Sequence, residues 1–420
     1  MIYHEIFIER EHSNYFIIYK IVSFMKKIKT VLMGAAAAVA LLCACEPQVK
    51  QDPNLTASGL NVTDFDTTYV DSVYGEKPVA LYKLTNANGM EVCITNFGGR
   101  IVSIMVPDKD GELQDVVLGF DTADKYFPEN NASDFGAAIG RYANRIAQGK
   151  IVADGEEVQL PQNNFGHCLH GGPTGWQYQV YDANLVDDKT LELTLVSPDG
   201  DNNFPGEVTA KVTYTLTDDN AIEIQYEAST TKQTVINMTN HSYFNLSGDP
   251  NNTVADEVLM VNADNYTPTD TTYMTTGEVR PVEGTVFDFR EARTLGTNFG
   301  EEDAEIAAAG GGYDHNWCLN TKGNKDEVAV RLSDPRSGIV LEVYTDEPGI
   351  QVYTGNFLDG SAVGKKGISY KKQAAICLET QKYPDSPNKY NLEGWEGSNS
   401  WLNPGEVYTS YCKYKFSVEK

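Results

Sequence analysis

Four histidines and one isolated glutamate carry most of the acid–base chemistry open to this chain. Only six histidines occur in 420 residues. His4 and His12 precede an apolar leader. The rest fall in short segments rich in Gly, Asn and Asp: His167 and His170 in GHCLHGG (166–172), His241 in INMTNHSYFNL (236–246), and His315 in GGYDHNW (311–317). Far downstream, ICLETQKYPDSPN (376–388) places Glu379 directly behind the apolar run Ala374-Ala375-Ile376-Cys377-Leu378. Imidazole titrates near neutrality, so a scarce histidine beside turn residues points to proton transfer. A carboxylate following an apolar run is expected to be buried at a strand end, with its pKa raised into the range of a general base.

Further polar groups gather nearby. IGRYANRIAQGK (139–150) holds Arg141, Asn144 and Arg145 among small residues, and Arg141 reads as structural. His241 is followed by Ser242, Tyr243 and Phe244, where an aromatic ring is available to an apolar ligand face. His167 and His170 have HxxH spacing, but no Cys or Glu cluster accompanies them, so no metal is assigned.

The elements that position these groups read as β almost throughout. VALYKL (79–84), an Asn-Ala-Asn-Gly turn and MEVCITNF (90–97) make a hairpin. RIVSIMVP (100–107), TLELTLVS (190–197), EVTAKVTYTLT (207–217), AIEIQYEAST (221–230), EVAVRLSD (327–334) and GIVLEVYTD (338–346) alternate apolar and polar residues. That alternation marks half-buried antiparallel strands. Helical stretches are few and short, EEDAEIAAA (301–309) being the clearest. The expectation is one all-β domain over 59–420, a large antiparallel β-sandwich.

Ahead of it, residues 1–24 read as an upstream extension and 25–44 as a lipoprotein-type signal peptide. A basic Met25-Lys26-Lys27-Ile28-Lys29 precedes the apolar VLMGAAAAVALLCA (31–44). Leu42-Cys43-Ala44-Cys45 resembles a lipobox that makes Cys45 the lipidated residue, and 45–58 has the composition of a polar tether. The expected location is therefore exported and held at a membrane by lipid, on the periplasmic or cell-surface side. A net charge of −26 argues against nucleic acid as a partner. Cys93, Cys168, Cys318, Cys377 and Cys412 are widely spaced and form no disulfide framework.

From about residue 60 onward the chain resembles the aldose 1-epimerases (galactose mutarotases). The resemblance rests on NFGGRI (96–101), GRYANRIAQGK (140–150), LHGG (169–172), DGDNNFPGEV (199–208), NMTNHSYFNL (237–246), GGYDHN (311–316), EPGIQVYTGNF (347–357) and LETQKYPDSPN (378–388), in that order. It implies a mutarotase-like supersandwich and cofactor-free interconversion of the anomers of a free aldohexose. It also implies Glu379 as the base at the C1 hydroxyl and His241 as the acid at the ring oxygen. Asn144, Arg145, His170, Ser242, Tyr243, Asp314 and Gln351 are implied as sugar-binding. Two rivals stand beside it: a glycoside hydrolase using Asp314 and Glu379 as paired carboxylates, and a lipid-anchored carbohydrate-binding protein without turnover.

Overall fold

A computed structural model of the chain describes residue 25 and residues 52–131, 133–300 and 302–419. The expected upstream extension, the leader beyond Met25, and Cys45 lie outside the described residues. The chain divides after Pro53, and the unit Asn54–Lys420 contains the strands described below. Residues 54–58, expected within a polar tether, belong to this unit. Thr56 and Ser58 are buried, Leu55 bridges Asn61, and the Ala57 N–H donates to Glu91 Oε1 at 2.6 Å. This polar stretch packs because its hydroxyls find partners: Thr56 Oγ1 with Ser58 Oγ, and Ser58 Oγ with Ser103 Oγ.

Within Asn54–Lys420 the architecture is antiparallel β, as the alternation requires. A nine-stranded sheet runs, in spatial order, 182–187, 190–197, 208–216, 221–230, 408–418, 339–345, 330–333, 258–261, 293–294. The strand Ala221–Thr230 shows why it forms. Ile222, Ile224, Tyr226 and Ala228 point inward while Gln225, Glu227 and Ser229 lie exposed. A six-stranded sheet has the order 243–244, 376–381, 349–353, 314–318, 265–267, 280–281, and a four-stranded sheet runs from 81 to 115. One continuous apolar core joins all three, with Leu193 and Tyr214 from the first, Ile350 and Leu378 from the second, and Ile94 and Ile104 from the third. Among the described residues of this unit, α-helix is confined to Ala304–Ala308 and Ser386–Lys389. The first falls inside the expected 301–309, capped by Asp303, whose carboxylate accepts the Glu305 and Ile306 N–H groups.

Candidate active site

The six-stranded sheet builds the site through its period of two. On Ile376–Gln381, the side chains of Ile376 and Leu378 enter the main core, so Glu379 and Gln381 emerge on the opposite face. On Gly349–Tyr353, Ile350 and Val352 do the same, and Gln351 and Tyr353 face the site. Glu379 lies directly opposite Gln351, and Gln351 opposite Asn316, forming one polar rung across three strands. The rung beside it is Cys377, Tyr353 and Asp314. Glu379 thus sits inside its strand, not at the expected strand end.

His315 faces the other way for the same reason. Its neighbours in sequence, Asp314 and Asn316, are on the polar face, so its ring is buried against Phe287 and Tyr266. Burial pushes its pKa down to about 3. It is a core residue and no part of the site.

Segments bearing Asp134, Asn144 and Arg145, Asn164 to His170, His241, Tyr273 and Phe357 close over the polar face to leave a cavity of about 430 Å³. His241 comes from the short strand Thr239–His241, which pairs with Ala137–Ile139. Gly136, on that pairing, donates its N–H to His241 O at 2.9 Å, and a Cβ there would lie 1.9 Å from Ile101 O. Only glycine lets the backbones approach this closely. His241 Nε2 stands 3.5 Å from Glu379 Oε1, with His241 4 % and Glu379 2 % exposed. Burial raises the Glu379 pKa to about 7, opposed by the charge of His241 and reinforced by Asp314 and Asp134. Tyr243 stacks on the His241 ring, centroids 5.1 Å apart and planes 18° from parallel, which fixes the imidazole in place.

Asn144 and His170 lock together. The Asn144 N–H donates to His170 Nδ1, and the His170 N–H donates to Asn144 O, each at 3.1 Å. With Nδ1 accepting, the ring proton sits on Nε2. Burial, then the charges of His241 and Arg145, hold His170 well below its usual pKa and hence neutral. Asn144 Nδ2 reaches Gln381 Oε1 at 3.4 Å, and Gln381 Nε2 donates to both Asn316 Oδ1 and Gln351 Oε1. Gln351 Nε2 donates to Asp314 Oδ1 at 2.7 Å. Arg145 Nε holds Asn164 Oδ1, and its guanidinium lies 5.2 Å from the centre of the Tyr273 ring. At the mouth, Phe165 and Phe357 are 63 % and 55 % exposed and flank Tyr273. These rings offer apolar surface to a bound ligand.

The structure therefore gathers His241, Glu379, Asn144, Arg145, His170, Tyr243, Asp314 and Gln351 around one cavity. Ser242 is excluded. It is fully buried between two residues that line the cavity, and alternation turns its hydroxyl away. Phe244 likewise belongs to the core, packed on Tyr414. Arg141 is structural, donating to Pro205 O, Gly206 O and Ser197 Oγ. His167 does not combine with His170 as HxxH spacing would allow. Its Nδ1 accepts the Gln148 N–H and its Nε2 meets Thr272 Oγ1. Among the described residues, the nearest approach to a cation-binding group is Asp134, His170 and His241, with one potential donor atom of each within 4.8 Å of the others.

Sequence reasoning missed several lining or supporting groups. Gln381 and Asn316 were accessible from Glu379 and Asp314 by a step of two along each strand. Tyr353 followed from Gln351 in the same way. Asp134 and Tyr273 carried no local signal.

The family described as aldose 1-epimerase matches residues 80–415 of this chain. The chain is 40% identical over 352 residues to the galactose mutarotase of Mus musculus, covering 83% of this chain and 98% of that protein. It is 37% identical over 344 residues to the aldose 1-epimerase of Escherichia coli (strain K12), covering 82% and 96%. An aldose epimerase homologue from C. elegans superposes with a TM-score of 0.73 at 32% identity, over 81% of this chain and all of that one. The galactose 1-epimerase of Lactobacillus acidophilus NCFM gives 0.71 at 28% identity, over 84% and 98%. With the fold, the motif order and the cavity in agreement, the chain belongs to the aldose 1-epimerase family.

Proposed function

We propose that this protein is a mutarotase that interconverts the α and β anomers of free aldohexoses, galactose and glucose among them. The observation that carries the mechanism is the His241–Glu379 pair, 3.5 Å apart and buried at the cavity wall. The C1 hydroxyl and the ring oxygen of a pyranose are bonded to the same carbon. Two proton carriers serving them must therefore sit side by side, as these do. The relatives named galactose mutarotase and aldose 1-epimerase support the same reading.

In this scheme ionised Glu379 takes the proton from the C1 hydroxyl while protonated His241 gives one to the ring oxygen. The C1–O5 bond breaks, leaving an open-chain aldehyde and a C5 hydroxyl. Rotation about C1–C2 presents the other face of the carbonyl. His241 then recovers its proton from the C5 hydroxyl as O5 attacks C1, and Glu379 returns its proton to the carbonyl oxygen. Atoms and protons balance, and both groups end as they began. A base whose pKa is held near 7 is well matched to an operating pH near neutrality. Arg145, Asp314, Gln351, Asn144 and His170 orient the hydroxyls through paired polar contacts. The leader and Cys45 support an exported, lipid-anchored form acting on sugar outside the cytoplasm.

The test is polarimetry of freshly dissolved α-D-galactose and α-D-glucose with the full chain and its His241→Ala variant. Decay of rotation is accelerated by the parent and loses about 10²–10⁴-fold in the variant. An inactive parent rejects the reading for these sugars, and an active variant rejects His241 as the acid.

A further inference from the structure

Asp134 has no part in the scheme above, yet it lines the same cavity. Its Oδ1 is buried and has no hydrogen-bond partner, and the same holds for Nδ1 of His241. Unpartnered polar atoms on a cavity wall are places where a ligand supplies the missing partner.

The geometry says what that partner is. One carboxylate oxygen of Asp134 and one nitrogen each of His170 and His241 lie within 4.8 Å of one another. Three points no farther apart than 4.8 Å share a centre at most 4.8/√3, or about 2.8 Å, from each, the separation of an ordinary hydrogen bond. One oxygen atom at that centre reaches all three. A hydroxyl suits the set: it donates its proton to the carboxylate and accepts from an imidazole N–H. His170 carries its proton on the nitrogen not engaged by Asn144, so it supplies such a donor.

Pyranose connectivity then selects the hydroxyl. This step rests on the mutarotase reading, in which Glu379 serves the C1 hydroxyl and His241 the ring oxygen. The ring oxygen is bonded to C1 and C5. The oxygen on C1 is taken, and the substituent on C5 is C6 with its hydroxyl. C4, also bonded to C5, carries O4 at the same three-bond remove, but in glucose its equatorial setting turns it away from the ring oxygen. O6 rotates about C5–C6 and reaches His241 in both the glucose and the galactose series, so the shared hydroxyl is O6. The geometry points to Asp134 as a specificity residue that accepts a hydrogen bond from the 6-hydroxyl, selecting hexoses over sugars that lack it.

The test is a cycle between enzyme and substrate. The kcat/KM of the full-length parent, Asp134→Ala and Asp134→Asn is measured on D-galactose and 6-deoxy-D-galactose, with the 2-, 3- and 4-deoxy sugars alongside. The parent prefers galactose to its 6-deoxy analogue by roughly 10- to 100-fold, the range for a hydrogen bond to a charged group. In Asp134→Ala that ratio falls to within about threefold, because only galactose loses the hydrogen bond, whereas the altered surroundings of the Glu379 carboxyl act on both sugars alike and cancel in the ratio. Asp134→Asn, which keeps the shape and a neutral acceptor, gives an intermediate ratio and stands in if the alanine variant does not fold. A purely structural role for Asp134 would lower both sugars equally and leave the ratio unchanged, which overturns the assignment. So does a parent with no 6-hydroxyl preference, or a ratio that collapses at another carbon. If the parent turns over neither sugar, the mutarotase reading fails separately. The same ratios read from calorimetric affinities then decide the fate of Asp134.

Discussion

Replacing Glu379 by glutamine tests the catalytic and the electrostatic argument together. The amide keeps the shape of the carboxyl and its place opposite Gln351, but it cannot accept a proton at neutral pH. Loss of a positioned base removes about 10²–10⁴-fold of mutarotation. The stability effect follows from burial. Glu379 is 2 % exposed, Oε2 has no hydrogen-bond partner, and its pKa is raised from the ordinary 4.5 to about 7. Between those values the unfolded chain has released the proton and the folded chain has kept it. The parent therefore loses stability as pH rises through this window, by roughly 3 kcal/mol in all at 1.36 kcal/mol per pKa unit. The variant has no such group and escapes that loss. Its melting temperature relative to the parent's rises between pH 4.5 and pH 8 by about 4 °C for a domain of this size. Calorimetry at the two pH values, with polarimetry on the same samples, provides both readings. A relative melting temperature that is flat with pH refutes the burial argument, and activity within tenfold of the parent refutes the base.

Three further outcomes follow from other positions. Ser242→Ala leaves kcat and KM within about twofold of the parent, because the hydroxyl is buried away from the cavity; a large rise in KM would return it to the site. Arg141→Met destabilises by about 3 kcal/mol or more, read by calorimetry, since it strips donors from Pro205 O, Gly206 O and Ser197 Oγ; unchanged melting would contradict its structural role. Parent activity falls off below about pH 7 in kcat/KM as Glu379 takes up its proton, where an unperturbed glutamate would hold activity to about pH 4.5.

The two proposed proton carriers were legible because they are rare residue types in odd company. His241 and Glu379 stood out through scarcity and through an apolar run. The β architecture was equally open to reading, since Ala221–Thr230 spells its own two faces in order. Other features depended on partners distant in sequence. Asp134 is one of 59 acidic residues and gains meaning only where the pairing of Thr239–His241 with Ala137–Ile139 brings it beside two histidines. Ser242 shared a motif with His241, but strand alternation separates the two by face. His315 is turned away for the same reason, and the polar residues 56–58, whose composition reads as linker, pack because their hydroxyls find partners.

The six-stranded sheet is a partition with fat on one side and sugar chemistry on the other. Every reactive group on it is flanked along the chain by residues wedged into close-packed hydrocarbon, such as Leu378 beside Glu379 and Ile350 beside Gln351. Such a wall yields little to thermal motion, so the proposed base stands ready before substrate arrives. The same coupling ties heredity to packing. A trimmed methyl at Leu378 is felt at the carboxylate one residue away, and drift in the core is read out as lost turnover. Change of diet is left to the loops that bear Phe165 and Tyr273, which pack on each other at the mouth and can be rewritten without disturbing the partition beneath them.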